Sequence, residues 1–252
     1  MTPAKAVAVV GYKDSGKTRV VEALVRELTS RGHMVGTLKH TAEDMPLDTP
    51  GKDTHRHREA GSKASAIIHE GGAALFLDGH MTVNEAIDKL GALDYVVIEG
   101  FKTLTTVARV IVPKEDGHVE ELSNGLEIAV ADLLGGGLPK ANAPIIPLDR
   151  IDELADAVEK TAFPILAGLN CHGCGYEDCH ELGRAILRGE AEAERCVAYT
   201  SEFVLKVNDL DIPLGPFVQD VTRNVLLGLV KSYKGVGDPR KIEIKFEAKR
   251  DG

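Results

Sequence analysis

The stretch Ala6-Val7-Ala8-Val9-Val10 runs directly into Gly11-Tyr12-Lys13-Asp14-Ser15-Gly16-Lys17-Thr18. The first five residues are small or β-branched, which is typical of a buried strand, and the next eight have the form G-x-x-x-x-G-K-T. From Arg19 to Leu28 apolar residues recur at helical spacing. The sequence therefore predicts a strand, a phosphate-binding loop and a helix in direct succession.

The residue types of this loop explain its chemistry. Gly11 and Gly16 let the backbone bend so that successive N–H groups point at phosphate oxygens, and the next helix presents its positive end to the same anion. Lys17 is predicted to reach the β- and γ-phosphates, and the Thr18 hydroxyl to ligate magnesium. The predicted nucleotide contacts are Gly11, Tyr12, Lys13, Asp14, Ser15, Gly16, Lys17, Thr18 and Arg19.

Length and charge limit the classes of protein to consider. A chain of 252 residues has room for one large domain, or for one domain of ordinary size plus a small appendage. Its net charge of −9 argues against a general nucleic-acid binder. The first strand begins too early for a secretory signal, and no apolar run approaches the ~20 residues of a membrane span. We expect a cytoplasmic protein that binds neither nucleic acid nor membranes.

Two further segments are predicted to end at the phosphate loop. Residues 34–38 read as a strand that delivers Lys39 and His40 at its end, and residues 94–98 as a strand that ends in Glu99. Because the carboxyl ends of parallel strands face the ligand crevice, these side chains are expected near the phosphates. Glu99 is predicted to order the magnesium shell or to polarise a water, which makes Lys17 and Glu99 the candidate catalytic pair.

The polar connection from Thr41 to Gly61 is long for a compact domain. Its Arg and His residues could grip an anion, and Asp53 and Arg56 are the candidate ligand contacts. The alternative is an exposed helix that begins near Lys52 with its charges in water.

The remaining segments alternate between strand and helix patterns. Strands are predicted at 66–69, 73–77, 108–112, 127–131 and 144–148, and helices at 82–90 and 151–162. Asp132 follows one of these strands and could accept N–H bonds from a guanine edge, although no N-K-x-D signature is present; the alternative is a solvated strand end. This alternation predicts an α/β fold with a mostly parallel, doubly wound sheet.

All four cysteines lie in one short window, as Cys171, Cys174, Cys179 and Cys196. Thiolates so spaced can hold a [4Fe-4S] cluster or tetrahedral zinc. A close triplet followed by a distant fourth ligand, after a helix at 181–190, favours the cluster; zinc and uncoordinated thiols are the alternatives. Beyond it we predict a hairpin at 203–213 turning at 208–209, a helix at 216–233 and a strand at 242–246. The predicted domains are 1–162, 163–200 and 201–252, the last a platform for packing or for a partner.

Residues 1–162 resemble the MobB family of adaptors in molybdopterin guanine dinucleotide biosynthesis. The similarity lies in the phosphate loop, in Leu38-Lys39-His40-Thr41, in the block from Asp48 to Gly61 and in Val97-Ile98-Glu99-Gly100-Phe101-Lys102. It implies a homodimeric, weakly hydrolytic GTP-binding protein that needs magnesium. The implied partners are molybdopterin or its guanine dinucleotide, a MobA-type guanylyltransferase and molybdoenzymes.

The segment from Cys171 to Cys179, with residues 185–191 and Cys196, resembles the four-iron module of the Rnf complex B subunit. His172 stands where that module usually has glycine, and no Pro-Gly follows Cys196. The combined expectation is a slow GTPase with an iron–sulfur appendage. Two other hypotheses are a nucleotide-gated electron carrier, which commonly has lysine at the position of Tyr12, and an adaptor whose nucleotide is structural.

Overall fold

The structure is a computed structural model that describes residues 3–43, 45–136, 138, 141–200, 203–207 and 210–245. Its strands are β1 (Lys5–Val10), β2 (Val35–Lys39), β3 (Ala64–His69), β4 (Gly72–Leu77), β5 (Tyr95–Glu99), β6 (Ala108–Ile111), β7 (Glu127–Asp132), β8 (Ile145–Pro147), β9 (Phe163–Pro164), β10 (Lys206–Val207) and β11 (Leu210–Asp211). Its helices are α1 (Lys17–Ser30), α2 (Asp53–Glu59), α3 (Val83–Lys89), α4 (His118–Leu122), α5 (Ile151–Thr161), α6 (Cys179–Leu187), α7 (Val197–Thr200) and α8 (Pro216–Lys231).

A parallel sheet with the order β2-β5-β1-β6-β7-β8 forms the centre of the molecule. Its central strands are buried except for one end residue each in β1 and β5, as the runs of Val, Ile and Ala predict for strands covered on both faces. Short β9 pairs antiparallel with the start of β1, where Lys5 faces Pro164 and Ala6 faces Phe163. The predicted α/β fold with a mostly parallel sheet is confirmed.

The two faces of the sheet are covered differently. On one face α1 and α5 pack through Leu24, Leu28 and Val158, and the same core contains Cys179 and Cys196. On the other face the sheet packs against α4, with α3 at the margin. Residues 163–200 therefore share a core with the predicted first domain, and their status as a separate domain stays a prediction.

Strands β3 and β4 do not join the main sheet. They pair only with each other as an antiparallel hairpin, against which α2 packs. The hairpin exposes Ile67, Leu75 and above all Ile68, which is 79% exposed. The two strands were predicted, but apolar content alone could not indicate that they stand away from the core.

The C-terminal region agrees with the predictions except at its end. The hairpin is present as β10 and β11, although its predicted turn at 208–209 lies outside the described residues, and α8 forms. The strand predicted at 242–246 is wrong for residues 242–245, which form no strand; Phe246 is outside the described part. Alternation is insufficient there because no neighbouring strand pairs with the segment, and Ile244 is exposed. Within the described ranges, no helix is long and apolar enough to cross a membrane.

Candidate functional site

The carboxyl ends of β1, β2 and β5 meet at one edge of the sheet, since the three strands are parallel neighbours. The loop from Gly11 to Gly16 follows β1, His40 follows β2 and Glu99 ends β5. The predicted grouping at this edge is therefore present in the fold.

The two glycines of the loop pattern are required for different reasons. A Cβ on Gly11 would lie 2.4 Å from Ser15 Oγ and 2.5 Å from the carbonyl oxygen of Val112, so the loop closes tightly over the end of β6. Gly16 has φ +92°, and a Cβ there would lie 2.5 Å from Leu133 Cδ2. The loop is thus held in one shape by packing against neighbouring strands.

The start of α1 is open to an anion. Gly16 is its N-cap residue, no side chain caps the helix, and the first turn contains no acidic residue. The first N–H groups of a helix have no partner within it, and α1 presents those of Lys17, Thr18 and Arg19. The buried Oγ of Ser15 also has no hydrogen-bond partner among the described residues. Unsatisfied donors around a glycine-shaped cradle suit a phosphate group.

Thr18, Glu99 and Lys39 form a contiguous group beside the loop. The Thr18 hydroxyl donates to Glu99 Oε1 over 3.1 Å, and Lys39 Nζ lies 3.1 Å from the same oxygen. Adjacent hydroxyl and carboxylate oxygens fit the few protein ligands that Mg²⁺ accepts while it keeps most of its waters. The Lys39 ammonium already provides Glu99 with a cation.

Lys17 folds back over the loop that precedes it. Its ammonium donates to the Tyr12 carbonyl over 2.6 Å. Burial lowers the pKa of Lys17, the charges of Lys102 and Lys39 lower it further, and Glu99 opposes the shift. The group of three lysines and one carboxylate therefore carries excess positive charge, which an anion would relieve.

Tyr12 is held by partners from two other segments. Its hydroxyl donates to Glu121 Oε2 over 2.6 Å, and its ring lies 4.2 Å from that of His118, both on α4. Lys102 Nζ lies 4.0 Å from the centroid of the same ring. The bond to Glu121 is the main cause of the raised pKa of Tyr12. This loop residue therefore connects the phosphate site to α4 and to the loop after β5.

Other predicted residues lie at the margin of the site. Lys13 forms an exposed ion pair with Glu43 at 2.7 Å, and Asp14 occupies the left-handed region with φ 61°. The His40 ring stacks on Phe101 with centroids 4.0 Å apart. These contacts shape the rim, and His40 is tied to the site through its backbone N–H, which donates to the carbonyl oxygen of Glu99 over 2.9 Å.

Three predicted nucleotide contacts, Asp53, Arg56 and Asp132, make no described hydrogen bond to the loop. Asp53 and Arg56 are exposed on α2, which packs on β3 of the hairpin. Asp132 ends β7 with only 6% exposure, and its two oxygens accept N–H bonds from Leu134 and Gly136, each 2.8 Å long. A role for Asp132 in reading guanine stays a prediction, in which the guanine N–H groups would use the remaining lone pairs of the two oxygens.

Sequence reasoning missed Lys102 and Arg109. The guanidinium of Arg109 is 2% exposed and donates to the carbonyl oxygens of Leu122, Leu104 and Lys102 over 2.9, 2.5 and 3.3 Å. A signal was present, because a single cation within Ala108-Arg109-Val110-Ile111-Val112 must be bonded if that strand is buried. Burial lowers its pKa, although Glu127 opposes the shift.

The four cysteines line one small cavity that opens partly to solvent. Cys179 and Cys196 are buried, Cys171 and Cys174 are half-buried, and none is in a disulfide. Apolar residues complete the walls, among them Leu169, Leu182 and Val197. No three of the described His, Cys, Asp or Glu side chains converge on one point as around a single ion. The thiols surround a space instead.

The sulfur of Cys196 has a defined environment. Burial raises the pKa of this thiol, as do the neighbouring Cys179 and Cys171, whereas N–H groups of Ala167 and Ala198 that donate to it act in the opposite direction. Backbone donors to a ligand sulfur are one of the means by which proteins tune iron–sulfur centres. The two N–H groups would stabilise a thiolate at Cys196, although burial makes the neutral thiol the favoured form without a metal.

The loop that carries the first three cysteines requires several left-handed residues: Asn170, His172 and Gly175 have φ of 46°, 56° and 87°. His172, at the position for which the resemblance to the Rnf module implies glycine, therefore has a positive φ. His tolerates this region better than most side chains. The substitution affects the backbone first, and the imidazole itself is exposed.

Helix α6 begins at Cys179, two residues before the predicted start, because Asp178 caps it by accepting from Glu181 N over 2.7 Å. The next residue, His180, bonds through Nε2 to the Asn124 carbonyl over 2.6 Å. Asn124 follows α4, so the helix that carries a cysteine rests on the turn beyond the helix that holds Tyr12.

Comparisons with known families divide the chain into a part that contains the phosphate loop and a part that contains the cysteines. A family model described as "Molybdopterin guanine dinucleotide synthesis protein B" matches residues 6–132. A second model, described as "Putative Fe-S cluster", matches residues 166–198 and so contains all four cysteines. The resemblance to the Rnf module in particular is not confirmed by these matches.

Individual relatives agree with this division. A Methanocaldococcus jannaschii protein named "Putative molybdopterin-guanine dinucleotide biosynthesis adapter protein" is 28% identical over 98% of this chain and 99% of its own length. The "Molybdopterin-guanine dinucleotide biosynthesis adapter protein" of Escherichia coli is 28% identical over 60% of this chain and 90% of its own length. The crystal structure of Bacillus subtilis MobB superposes with a TM-score of 0.53 and 25% identity over 61% of this chain and 97% of that structure.

Proposed function

This chain belongs to the molybdopterin guanine dinucleotide synthesis protein B (MobB) family, and we propose that it binds GTP and magnesium at the phosphate loop as an adaptor in that pathway. The proposal rests above all on the Thr18–Glu99–Lys39 group, which joins the start of α1 to the ends of β5 and β2. Separate segments of the chain supply a magnesium ligand, a carboxylate and a cation beside an open helix start.

In this proposal each residue has a defined task. The N–H groups at the start of α1 and the Lys17 ammonium bind the phosphates. Thr18 and Glu99 would hold magnesium, whose charge would offset that of the phosphates. Catalysis then depends on positioning and electrostatics, and because no glutamine that would position water is identified, turnover without a partner is slow. Guanine preference rests on the family relation and on the candidate role of Asp132.

We assign the cysteine cavity to a [4Fe-4S] cluster held by Cys171, Cys174, Cys179 and Cys196. Around one zinc ion the Zn–S distance is about 2.3 Å, which draws four sulfurs close to one centre. In a four-iron cluster each thiolate binds a different iron, so the sulfurs stand farther apart around a larger body. The pocket that all four cysteines line, and the match of residues 166–198 to the family model described as "Putative Fe-S cluster", support the cluster.

The hairpin of β3 and β4 supports the homodimer implied by the family relation. It projects Ile67, Ile68 and Leu75 from a short two-stranded sheet, and isolated hairpins are marginally stable in water. Pairing of two copies would cover these side chains. Ile68→Asp is expected to convert a dimer into a monomer in light scattering, whereas Val236→Asp, at another exposed apolar residue, leaves the mass unchanged.

The adaptor role joins these parts. With GTP bound, the protein assists a MobA-type guanylyltransferase in attaching GMP to molybdopterin or delivers the finished cofactor to molybdoenzymes. The deciding experiment measures binding of a fluorescent GTP analogue with and without Mg²⁺, together with competition by ATP. Micromolar, magnesium-dependent binding that GTP displaces better than ATP is expected. Thr18→Val should remove the magnesium dependence and leave residual binding through Lys17.

The cluster requires its own measurement. Protein purified anaerobically is expected to contain about four iron and four sulfide per chain and to lose its colour with dithionite. Cys179→Ala should remove the iron, and one zinc with no colour would refute the assignment. Absence of nucleotide binding would refute the first part of the proposal whatever the metal content.

A further inference from the structure

The loop after β5 brings a cation to the phosphate site that the proposed mechanism has not used. Lys102 follows Glu99 by three residues, and its ammonium lies 4.0 Å from the ring centroid of Tyr12. Tyr12 is the second residue of the phosphate loop, and its carbonyl oxygen is the acceptor of the Lys17 ammonium. Tyr12 therefore stands between the two lysines: its ring contacts Lys102, and its carbonyl oxygen accepts from Lys17.

The backbone beneath Lys102 is fixed. Arg109, buried in β6, donates to the carbonyl oxygens of Lys102 and Leu104 in this loop and of Leu122 at the end of α4. One buried guanidinium thus ties together the two segments that contact Tyr12. An anchored backbone with a long flexible side chain lets the ammonium move while the loop stays in place.

The contact with Tyr12 is a weak one for a lysine in such surroundings. A cation–π contact at a partly exposed ring is much weaker than the attraction between an ammonium and a phosphate at hydrogen-bond distance. Lys102 also adds a second positive charge beside Lys17, because the two ammonium groups contact the ring and the carbonyl oxygen of the same residue, Tyr12. A ligand with several negative charges offsets these two charges and offers Lys102 a stronger partner.

We propose that Lys102 leaves the ring of Tyr12 when a nucleoside triphosphate binds, and that its ammonium contacts the γ-phosphate as a cation supplied in cis. This inference rests on the proposed nucleotide site. It assigns to Lys102 the task that an arginine performs in other P-loop proteins.

The reaction step uses water as the only co-reactant. The water oxygen forms a bond to the γ-phosphorus while the bond from phosphorus to the β,γ-bridging oxygen breaks, and that oxygen keeps the electron pair as part of GDP. One proton of the water remains on the released phosphate, and the other passes to solvent. Lys102 transfers no proton; it offsets the charge that develops on the oxygens around the γ-phosphorus.

The test compares Lys102→Ala with wild type in two assays. The first is affinity for GDP alone and for GDP with aluminium fluoride and Mg²⁺, which mimics the transferring phosphoryl group. We expect GDP affinity within about threefold of wild type and a loss of roughly 100-fold for the fluoride complex. The second assay is single-turnover hydrolysis of GTP, which should fall by a similar factor of about 100.

Two further variants separate this role from a structural one. Lys89→Ala removes an exposed lysine at the end of α3 and should match wild type in both assays. Lys102→Arg keeps a cation on the same backbone and should recover at least a tenth of the lost affinity for the fluoride complex. A merely structural role in holding Tyr12 would instead lower GDP affinity and the fluoride complex in parallel.

Several results overturn the inference. Equal affinity of Lys102→Ala and wild type for the fluoride complex does so, and so does a parallel loss of GDP affinity. If wild type binds GDP but gains nothing from aluminium fluoride, Lys102 has no such role while the nucleotide site stands. If wild type binds no nucleotide at all, the proposed function itself fails, and this result is recognisable before any variant is made.

Discussion

The phosphate loop and the cysteine loop share one local arrangement, a loop that leads into a helix, but are suited to two kinds of ligand. Each is a glycine-containing loop with left-handed residues that runs into a helix, α1 in one case and α6 in the other. The difference lies at the helix start. Gly16 leaves the N–H groups of α1 uncapped, whereas Asp178 caps α6 and Glu181 adds a negative charge to its first turn.

This difference explains which ligand each loop can take. An uncapped helix start has unsatisfied donors and partial positive charge, which favour a phosphate. A capped start has its donors satisfied by the protein, so α6 offers a side chain, Cys179, instead of its backbone. A fixed helix then holds one thiolate in place while the loop before it supplies two more. The state of the cap is thus as informative as the loop motif.

Removal of the charged group at the open helix start should have the largest effect. Lys17→Ala is expected to weaken binding of a fluorescent GTP analogue about 100-fold, or ~3 kcal/mol, because the phosphates lose a charge-assisted donor. The iron content should not change, since no described bond joins Lys17 to the cysteine loop. Lys63→Ala, at an exposed lysine before β3, is the control. A loss of iron in Lys17→Ala would show that the two loops are not separable.

The pH dependence of the open site should follow Lys17. Its folded-state pKa is lowered, chiefly by burial, so the ammonium is lost at lower pH than in an ordinary lysine. As pH rises through that folded-state pKa, GTP affinity should fall by up to about tenfold per pH unit. Stability has the opposite sign, because the unfolded chain binds this proton more tightly and the free energy of unfolding rises with pH in the same window.

Lys17→Arg provides the comparison for this pH series, because an arginine stays charged throughout. In this variant, binding titrations from pH 8 to 10.5 should show no fall in GTP affinity due to residue 17. Urea unfolding over the same range should show no corresponding rise in the free energy of unfolding. If the arginine variant keeps the same fall in affinity, another group is responsible.

Loss of the cap should have a smaller effect and only at the cysteine loop. Asp178→Ala removes the acceptor of Glu181 N and should reduce the free energy of unfolding by about 1 kcal/mol. Urea unfolding of the anaerobic protein measures this, with Glu177→Ala, an exposed neighbour, as the matched control. Affinity for GTP should stay constant, and an equal loss in both variants would argue against capping as the cause.

The smallest effect is expected for His172→Gly. His172→Gly relieves a left-handed side chain but adds freedom to the unfolded chain, so the two contributions nearly cancel and stability should change by less than about 1 kcal/mol. His172→Val should instead cost about 1–2 kcal/mol, since a β-branched residue is unsuited to positive φ. Iron content should be retained in the glycine variant; its loss would mean that the imidazole, not the backbone, matters.

Predictions from the sequence succeeded where the segment that a pattern predicts also has the neighbouring element it needs to pack against. Thr18 and Glu99 were expected to meet because strands of one parallel sheet end at one edge, and they do so at 3.1 Å. Predictions failed or stayed open where the outcome depends on distant partners. No neighbouring strand pairs with the alternating segment 242–245. Asp53 and Arg56 lie on α2, which packs on the hairpin.

The sequence by itself determined the parallel sheet, the phosphate loop, the meeting of Lys39 with Glu99 and the set of four cysteines, because periodicity and strand direction are local properties that fix which residues lie at one edge. Only the tertiary structure decided that Arg109 clamps two loops, that Lys102 rests on Tyr12 and that Cys179 and Cys196 enter the core of the sheet. These contacts join residues far apart in sequence, and their geometry depends on how whole elements pack. Short motifs therefore predicted the candidate ligand residues, whereas the contacts that connect them to the rest of the molecule were visible only in the tertiary structure.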